Sequence, residues 1–158
     1  TTDLGAGSFD VRKGFVDALL AQLHDRNMLV FDLALPVGSR ARNSSGNHAV
    51  SYMGIIRIGD KHRRIDMKAY PVELHAFALL YFTGGTHFNR GMRLVARRRG
   101  LSLSDLGLRS CVKDGNGEKV KGANIAPCWT EHDVFALLDL EYRPPTQRQN
   151  AADVRSLC

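Results

Sequence analysis

The hydrophobic pattern up to Pro71 predicts one amphipathic helix followed by three strands. Apolar side chains first recur every three or four positions, as on one face of a helix, and Ser8 or Asp10 can serve as its N-cap. Further on they cluster into short runs of strand length. Gly59 and Asp60 allow only a tight connection between the last two strands, which predicts an antiparallel hairpin. In order, the segments are a helix at 8–24 and strands at 28–35, 49–59 and 62–70.

After Pro71 the apolar spacing is that of helices. The glycine pair at 84–85 predicts a helix end, Thr86 predicts the cap of the next helix, and Thr130 with Asp133 has the spacing of a capping box. The chain is therefore predicted to be α+β, with a helix and an antiparallel sheet followed by a mainly helical subdomain with a small hairpin. In order, these later segments are helices at 72–82, 86–100 and 130–140, a hairpin turning at 113–117, and a polar, frayed tail at 147–158.

Composition places the chain among globular proteins and favours a polyanionic partner. Hydrophobic residues make up 44% of the 158, and no apolar run approaches the roughly 18 residues of a membrane span. The N-terminus lacks the features of a signal peptide and an initiator Met, so we expect a chain trimmed from a longer one. The net charge of +6 is compatible with nucleic acid as a partner but does not decide it, because many small basic proteins bind none.

The cysteines Cys111, Cys128 and Cys158 are odd in number and lack the spacing of metal ligands. We interpret them as free thiols in a reducing compartment. The alternative is a zinc site completed by His62 or His132, but structural zinc sites favour closely spaced ligand pairs.

The segment at 63–68 carries the first candidate chemistry. Because side chains alternate faces in a strand, Arg64, Asp66 and Lys68 are predicted on one face, with apolar residues between them on the other. A carboxylate between cations either pairs with them or binds a hard metal ion through oxygen. The residues alone leave both roles open.

A second candidate site lies where the helices at 72–82 and 86–100 meet. Tyr81 and Phe82 end the first of them, and Asn89 and Arg93 lie one turn apart on the second. Aromatic residues at helical spacing are usually core residues, and clustered arginines usually form a solvated helix face. Beside a binding pocket, such a cluster favours contact with phosphate. The arginines in question are Arg90, Arg93, Arg97, Arg98 and Arg99.

These two segments and the Glu-His-Asp-Val-Phe motif at 131–135 have the order and spacing found in the X family of DNA polymerases. From about residue 53 to residue 145, the chain resembles the beta-like members of that family. The resemblance implies a DNA-directed DNA polymerase that transfers a dNTP to a primer 3′-hydroxyl during gap-filling base excision repair. It also implies gapped or primed DNA as a partner, two magnesium ions in the complete site, a monomer, and a nuclear location with the mitochondrion as alternative.

The resemblance also assigns roles in the strand. Asp66 is implied to bind the catalytic magnesium as the third aspartate of the family's palm subdomain. Arg64 is implied to orient Asp66 or contact the DNA primer, and Lys68 to form an ion pair nearby and to bind DNA. The implied division is a partial palm at 1–71, a C-terminal nucleotide-selecting subdomain at 72–146, and a polar tail at 147–158.

In the second segment the resemblance assigns nucleotide contacts. Tyr81 and Phe82 are implied to line the sugar side of the pocket and to exclude ribonucleotides, with Gly84 permitting the turn that follows. Asn89 is implied to hydrogen-bond the incoming base, and Arg93 to reach the template strand in the minor groove.

One feature of the family is missing. The family also binds its metals with an Asp-x-Asp pair, which does not occur in this sequence. Gly7-Ser8 resembles the family's phosphate-binding turn, but we interpret it as a loop and helix cap. We therefore expect an inactive fragment of a longer polymerase. Two alternatives stay open: a non-catalytic DNA-binding module, and a template-independent nucleotidyl transferase, whose relatives have Trp-Gly in place of Tyr81-Phe82.

Overall fold

The computed structural model describes residues 11–36, 49–113, 115–116 and 118–157. They form two compact units, Thr1–Pro71 and Val72–Cys158. Within the described residues, the units contain two antiparallel three-stranded sheets and four α-helices, which confirms the predicted α+β class. No helix in these ranges is both long enough and apolar enough to cross a membrane. The predicted cap at Ser8 or Asp10, the Gly7-Ser8 turn and Cys158 lie outside the described residues.

The first unit packs one helix on one sheet. Val16 and Leu20 of the helix pack against the sheet, and the opposite face of its last strand is polar and exposed. The elements are α1 (Val11–Asp25), β1 (Leu29–Ala34), β2 (Val50–Ile58) and β3 (Lys61–Ala69), with the sheet order β1-β2-β3. The buried core consists of Val16, Leu20, Leu29, Val50, Tyr52 and Ile56.

The hairpin between β2 and β3 is confirmed. The two strands pair antiparallel from Val50↔Ala69 to Ile58↔Lys61 without a register shift. Gly59 has a φ of 63°, a left-handed conformation that glycine adopts without strain. The regular register fixes which side chains of β3 share a face.

The second unit is built from helices with a small sheet beside them. Its core contains three fully buried rings, Phe77 of α2, Phe88 of α3 and Phe135 of α4, among aliphatic side chains. The helices are α2 (His75–Phe82), preceded by a 3₁₀ turn at Val72–Leu74, α3 (Thr86–Arg98) and α4 (Glu131–Leu137). The strands are β4 (Leu101–Ser104), β5 (Gly107–Lys113) and β6 (Lys119–Asn124), in the order β4-β5-β6.

The helix ends agree with the sequence in one case and differ in another. The Thr130 side chain and Asp133 form the predicted capping box at the start of α4. The predicted Thr86 cap is wrong: Gly85 is the N-cap of α3 and Thr86 is its first helical residue. No side chain caps this helix, since glycine offers only its main chain.

The polar segment after residue 146 does not fray as predicted. It contains 3₁₀ turns at Pro145–Gln147 and Ala151–Asp153. The Glu141 N–H donates to the Arg155 carbonyl and the Leu157 N–H to the Asp139 carbonyl. These long-range backbone hydrogen bonds fix the segment on the second unit, although its side chains are mostly polar.

Candidate functional site

The structure places Arg64, Asp66 and Lys68 together on the solvent-facing side of β3. Between them, Ile65 and Met67 pack against the core under α1. The Arg64 and Asp66 side chains are 60% and 53% exposed, so the pair is open to a ligand from solvent.

Asp66 is oriented by a two-pronged ion pair. Arg64 Nε donates to Asp66 Oδ1 at 2.7 Å, and Arg64 Nη2 donates to Asp66 Oδ2 at 3.1 Å. The same Nη2 lies 3.1 Å from the Met53 sulfur on β2. The hydrogen bond to Asp66 and its charge raise the pKa of Arg64. Asp66 therefore forms the ion pair with Arg64 that the sequence left open, and each of its carboxylate oxygens keeps lone pairs for a further ligand.

These residues do not complete a magnesium site by themselves. Among the described residues, no three His, Cys, Asp or Glu side chains cluster as metal ligands. Mg²⁺ requires near-octahedral coordination by oxygen, which one carboxylate cannot supply. The metal role of Asp66 stays a prediction that needs further carboxylates.

The second candidate site is organised around the junction of α2 and α3. Asn89 Nδ2 donates to the Tyr81 carbonyl at 2.5 Å, which ties the start of α3 to the end of α2. The Tyr81 and Phe82 rings meet edge to face at 4.9 Å. Phe82 is 57% exposed, whereas Phe88 is fully buried. Phe88 is therefore a core residue, whereas Phe82 is not and presents an apolar ring to solvent.

Arg93 lies beside this junction. Its guanidinium carbon is 5.8 Å from the centre of the Tyr81 ring, a cation–π distance. Together with Arg97 and Lys121 it lines a groove of about 460 Å³ between α3 and the small sheet. Hydroxyl groups and one carboxylate, Asp105, also line the groove. With three cations against one carboxylate, the groove suits a phosphate-bearing chain.

Sequence reasoning missed Arg148 and Glu131. Arg148 is fully buried, and its Nη1 donates to Glu131 Oε1 at 2.5 Å. Its carbonyl accepts from the Gly85 N–H, directly under the junction of α2 and α3. No local signal marked Arg148, because it lies in a polar segment with no helical or strand periodicity.

Cys128 supplies no reactive group. Its side chain is buried, and this burial raises the pKa of the thiol to about 11. Cys111 and Cys128 are both free thiols. A thiol with this pKa is protonated at neutral pH, which disfavours it as a zinc ligand.

Comparison with known proteins identifies the class. Residues 78–149 match the family described as DNA polymerase beta thumb. The chain is 39% identical over 140 residues to the DNA polymerase lambda of Rattus norvegicus, covering 86% of this chain and 23% of that protein. It is 31% identical over 139 residues to the DNA polymerase lambda of Arabidopsis thaliana, covering 86% and 26%.

The chain belongs to the X family of DNA polymerases, as its motifs predicted. Within that family it is similar to DNA polymerase lambda, and its second unit contains a thumb domain of the DNA polymerase beta type. It spans about a quarter of the length of the relatives it matches.

Proposed function

We propose that this chain is part of a template-dependent DNA polymerase that transfers a dNTP to a primer 3′-hydroxyl in gap-filling repair. The observation that carries the proposal is the junction of α2 and α3 in a chain homologous to DNA polymerase lambda. There Asn89 is hydrogen-bonded to the Tyr81 carbonyl, and Arg93 lies one helical turn further along, against the Tyr81 ring.

In this proposal the junction selects the nucleotide. The exposed Phe82 ring and the Tyr81 ring line the sugar, and this apolar surface disfavours the additional 2′-hydroxyl of a ribonucleotide. Asn89 presents its side-chain amide to the base, and Arg93 reaches the template strand. Hydrogen bonds of this kind form fully only around a correct pair, so they support fidelity.

Asp66 supplies one carboxylate of the catalytic site, oriented by Arg64, and Lys68 adds a cation on the same face. Magnesium, when bound, neutralises the charge that develops on the transferred phosphoryl group. Asp66 contributes a fixed oxygen toward it, and the remaining ligands come from outside the described residues. The two-pronged contact from Arg64 prevents the carboxylate from rotating.

Gapped or primed DNA is the proposed partner, with the enzyme acting as a monomer in the nucleus. The net charge of +6 and the groove lined by Arg93, Arg97 and Lys121 support a polyanionic ligand. The mitochondrion is the alternative location.

A non-catalytic DNA-binding module is the second candidate, because this sequence contains no Asp-x-Asp pair. Such a module would still use the cationic groove. A template-independent transferase is less well supported, because Tyr81 and Phe82 stand where such relatives have Trp-Gly.

Insertion of one nucleotide by the full-length protein separates these functions. A one-nucleotide gap with each template base is incubated with each dNTP and Mg²⁺. We expect insertion that follows the template base and weakens when Asn89 is replaced by Ala. DNA binding without insertion would favour the module, and insertion regardless of the template base would favour the transferase.

A further inference from the structure

We propose that Arg148 is a positioning residue for nucleotide selection, because it fixes the turn at Gly84 and Gly85 that sets Tyr81 against Asn89. This inference rests on the proposed function, since it concerns how the nucleotide-selecting junction keeps its shape. Arg148 lies in the second unit about sixty residues beyond the turn, and no motif of the chain includes it.

The turn and the C-terminal segment are in direct main-chain contact. The Gly85 N–H donates to the Arg148 carbonyl at 2.6 Å. A Cβ atom on Gly84 would lie 2.6 Å from Arg148 Cβ, and one on Gly85 would lie 2.5 Å from the Gln149 carbonyl oxygen. Both distances are too short for a side chain. The two glycines are therefore required by this contact, and Gly84 also by its φ of 93°.

Arg148 cannot move away from the turn, because its side chain is fixed from several directions. Nη1 donates to Glu131, and Nε donates to the Arg143 carbonyl at 2.7 Å. The guanidinium carbon lies 6.0 Å from the ring centre of Phe88 and 5.4 Å from that of Phe135. The planar guanidinium makes these directed contacts simultaneously, which a lysine ammonium cannot reproduce.

The turn connects this anchor to the candidate site. The Gly85 carbonyl accepts from the Asn89 N–H at 3.1 Å and so begins α3. The Asn89 side chain in turn binds the Tyr81 carbonyl. A shift of the Arg148 carbonyl would therefore move both Tyr81 and Asn89, the two sides of the proposed nucleotide pocket. Of the three groove cations, Arg93 contacts the Tyr81 ring, whereas Arg97 and Lys121 lie farther along α3 and on β6. Selectivity is therefore expected to change more than DNA affinity.

Two variants loosen the contact from opposite sides. Arg148→Lys keeps the charge beside Glu131 but loses the directed pair of donors. Gly85→Ala leaves Arg148 unchanged and pushes a methyl group against the Gln149 carbonyl. Because the φ of Gly85, −72°, suits alanine, any effect comes from this steric contact and not from backbone strain. Asp139→Asn is the matched control, since it removes an exposed ion pair with Arg99 in the same unit.

The assay measures single-turnover insertion of a deoxyribonucleotide and of the matching ribonucleotide into gapped DNA by the full-length protein, well below its unfolding temperature. For both test variants we expect the preference for deoxyribonucleotide to fall about tenfold or more, with DNA affinity changed less than about twofold. The control should keep the wild-type preference. An unchanged preference for deoxyribonucleotide in Gly85→Ala and in folded Arg148→Lys would overturn the inference. Lowered stability with an unchanged preference would mean that Arg148 has a purely structural role.

A second readout does not need activity. Hydrogen exchange at the Gly85 and Asn89 amides is compared between Arg148→Lys and Asp139→Asn. We expect faster exchange only in Arg148→Lys, because only that variant loosens the turn. If the wild-type protein inserts no nucleotide, the proposed function fails, but the exchange comparison still tests whether Arg148 holds the turn. Equal exchange rates in the two variants would show that it does not.

Discussion

Replacing Glu131 by Ala should strongly destabilise the second unit. Glu131 accepts a hydrogen bond from Nη1 of Arg148, whose side chain is completely buried, while Glu131 itself is 9% exposed. The substitution leaves a buried guanidinium without its counter-ion. In the wild-type protein Arg148 Nη2 already lacks a hydrogen-bond partner among the described residues, so the site has no spare acceptor to compensate.

The size of the effect follows from what remains around Arg148. Breaking a buried ion pair from one side costs about 3–5 kcal/mol, because the other charge stays buried. The Arg143 carbonyl and the nearby aromatic rings still stabilise the guanidinium, which places the loss toward ~3 kcal/mol. Glu131→Gln keeps an acceptor oxygen and should lose less. Asp139→Asn breaks an exposed pair and should cost no more than about 1 kcal/mol.

Urea unfolding followed by fluorescence measures these differences. Trp129 is the single tryptophan, and it directly precedes the capping residue of α4 in the second unit. With a slope of about 1 kcal/mol per molar urea for a unit of this size, Glu131→Ala should lower the unfolding midpoint by roughly 3 M. A midpoint within about 0.5 M of that of Asp139→Asn would refute the argument that the buried charge dominates.

Three further predictions concern catalysis and pH. On the proposed function, Asp66→Ala in the full-length protein should lower single-turnover insertion about a hundredfold or more while DNA affinity is kept. Near-wild-type insertion would reduce Asp66 to a partner of a neighbouring arginine. Arg93→Ala should reduce the transition-state stabilisation for inserting the correct nucleotide by roughly 1.5–3 kcal/mol and lower fidelity. Its control Arg98→Ala should only make DNA binding weaker and more salt-sensitive. Equal small effects of the two substitutions would eliminate the minor-groove role of Arg93. Hydrogen bonds from Thr130 lower the pKa of Asp133 in the folded protein. The charged carboxylate therefore stabilises the fold fully above the pKa of an unfolded aspartate, about 3.9, and this stabilisation is lost as the pH falls through the lowered folded-state pKa. Asp133→Asn should therefore flatten the acid limb of stability in urea titrations below about pH 4, and an unchanged acid limb would contradict this.

Local patterns determined much of the fold in advance. The strands of the first unit and the helices α2, α3 and α4 lie within a few residues of their predicted positions, because periodicity and turn residues act over short distances. Helical spacing likewise put Asn89 and Arg93 on one side of α3. Strand alternation put Arg64 and Asp66 on one face of β3.

Some features depend on contacts that no local pattern encodes. The β4 strand was missed, since Leu101–Ser104 becomes a strand only by pairing with β5. Thr86 was expected to cap α3, but the chain reaches that helix through Gly85, whose N–H is bound by the Arg148 carbonyl.

The order of elements and the side chains that share a face follow from periodicity and turn residues along the chain, and the family follows from the resemblance of its motifs. The burial of Arg148 and its contact with the turn at 84–85 become apparent only in the folded structure. A polar residue is usually exposed, and burying a guanidinium is favourable only where Glu131, a main-chain carbonyl and aromatic rings converge on it. Glu131 and the rings of Phe88 and Phe135 lie on other elements of the second unit, so their convergence on Arg148 arises from tertiary packing.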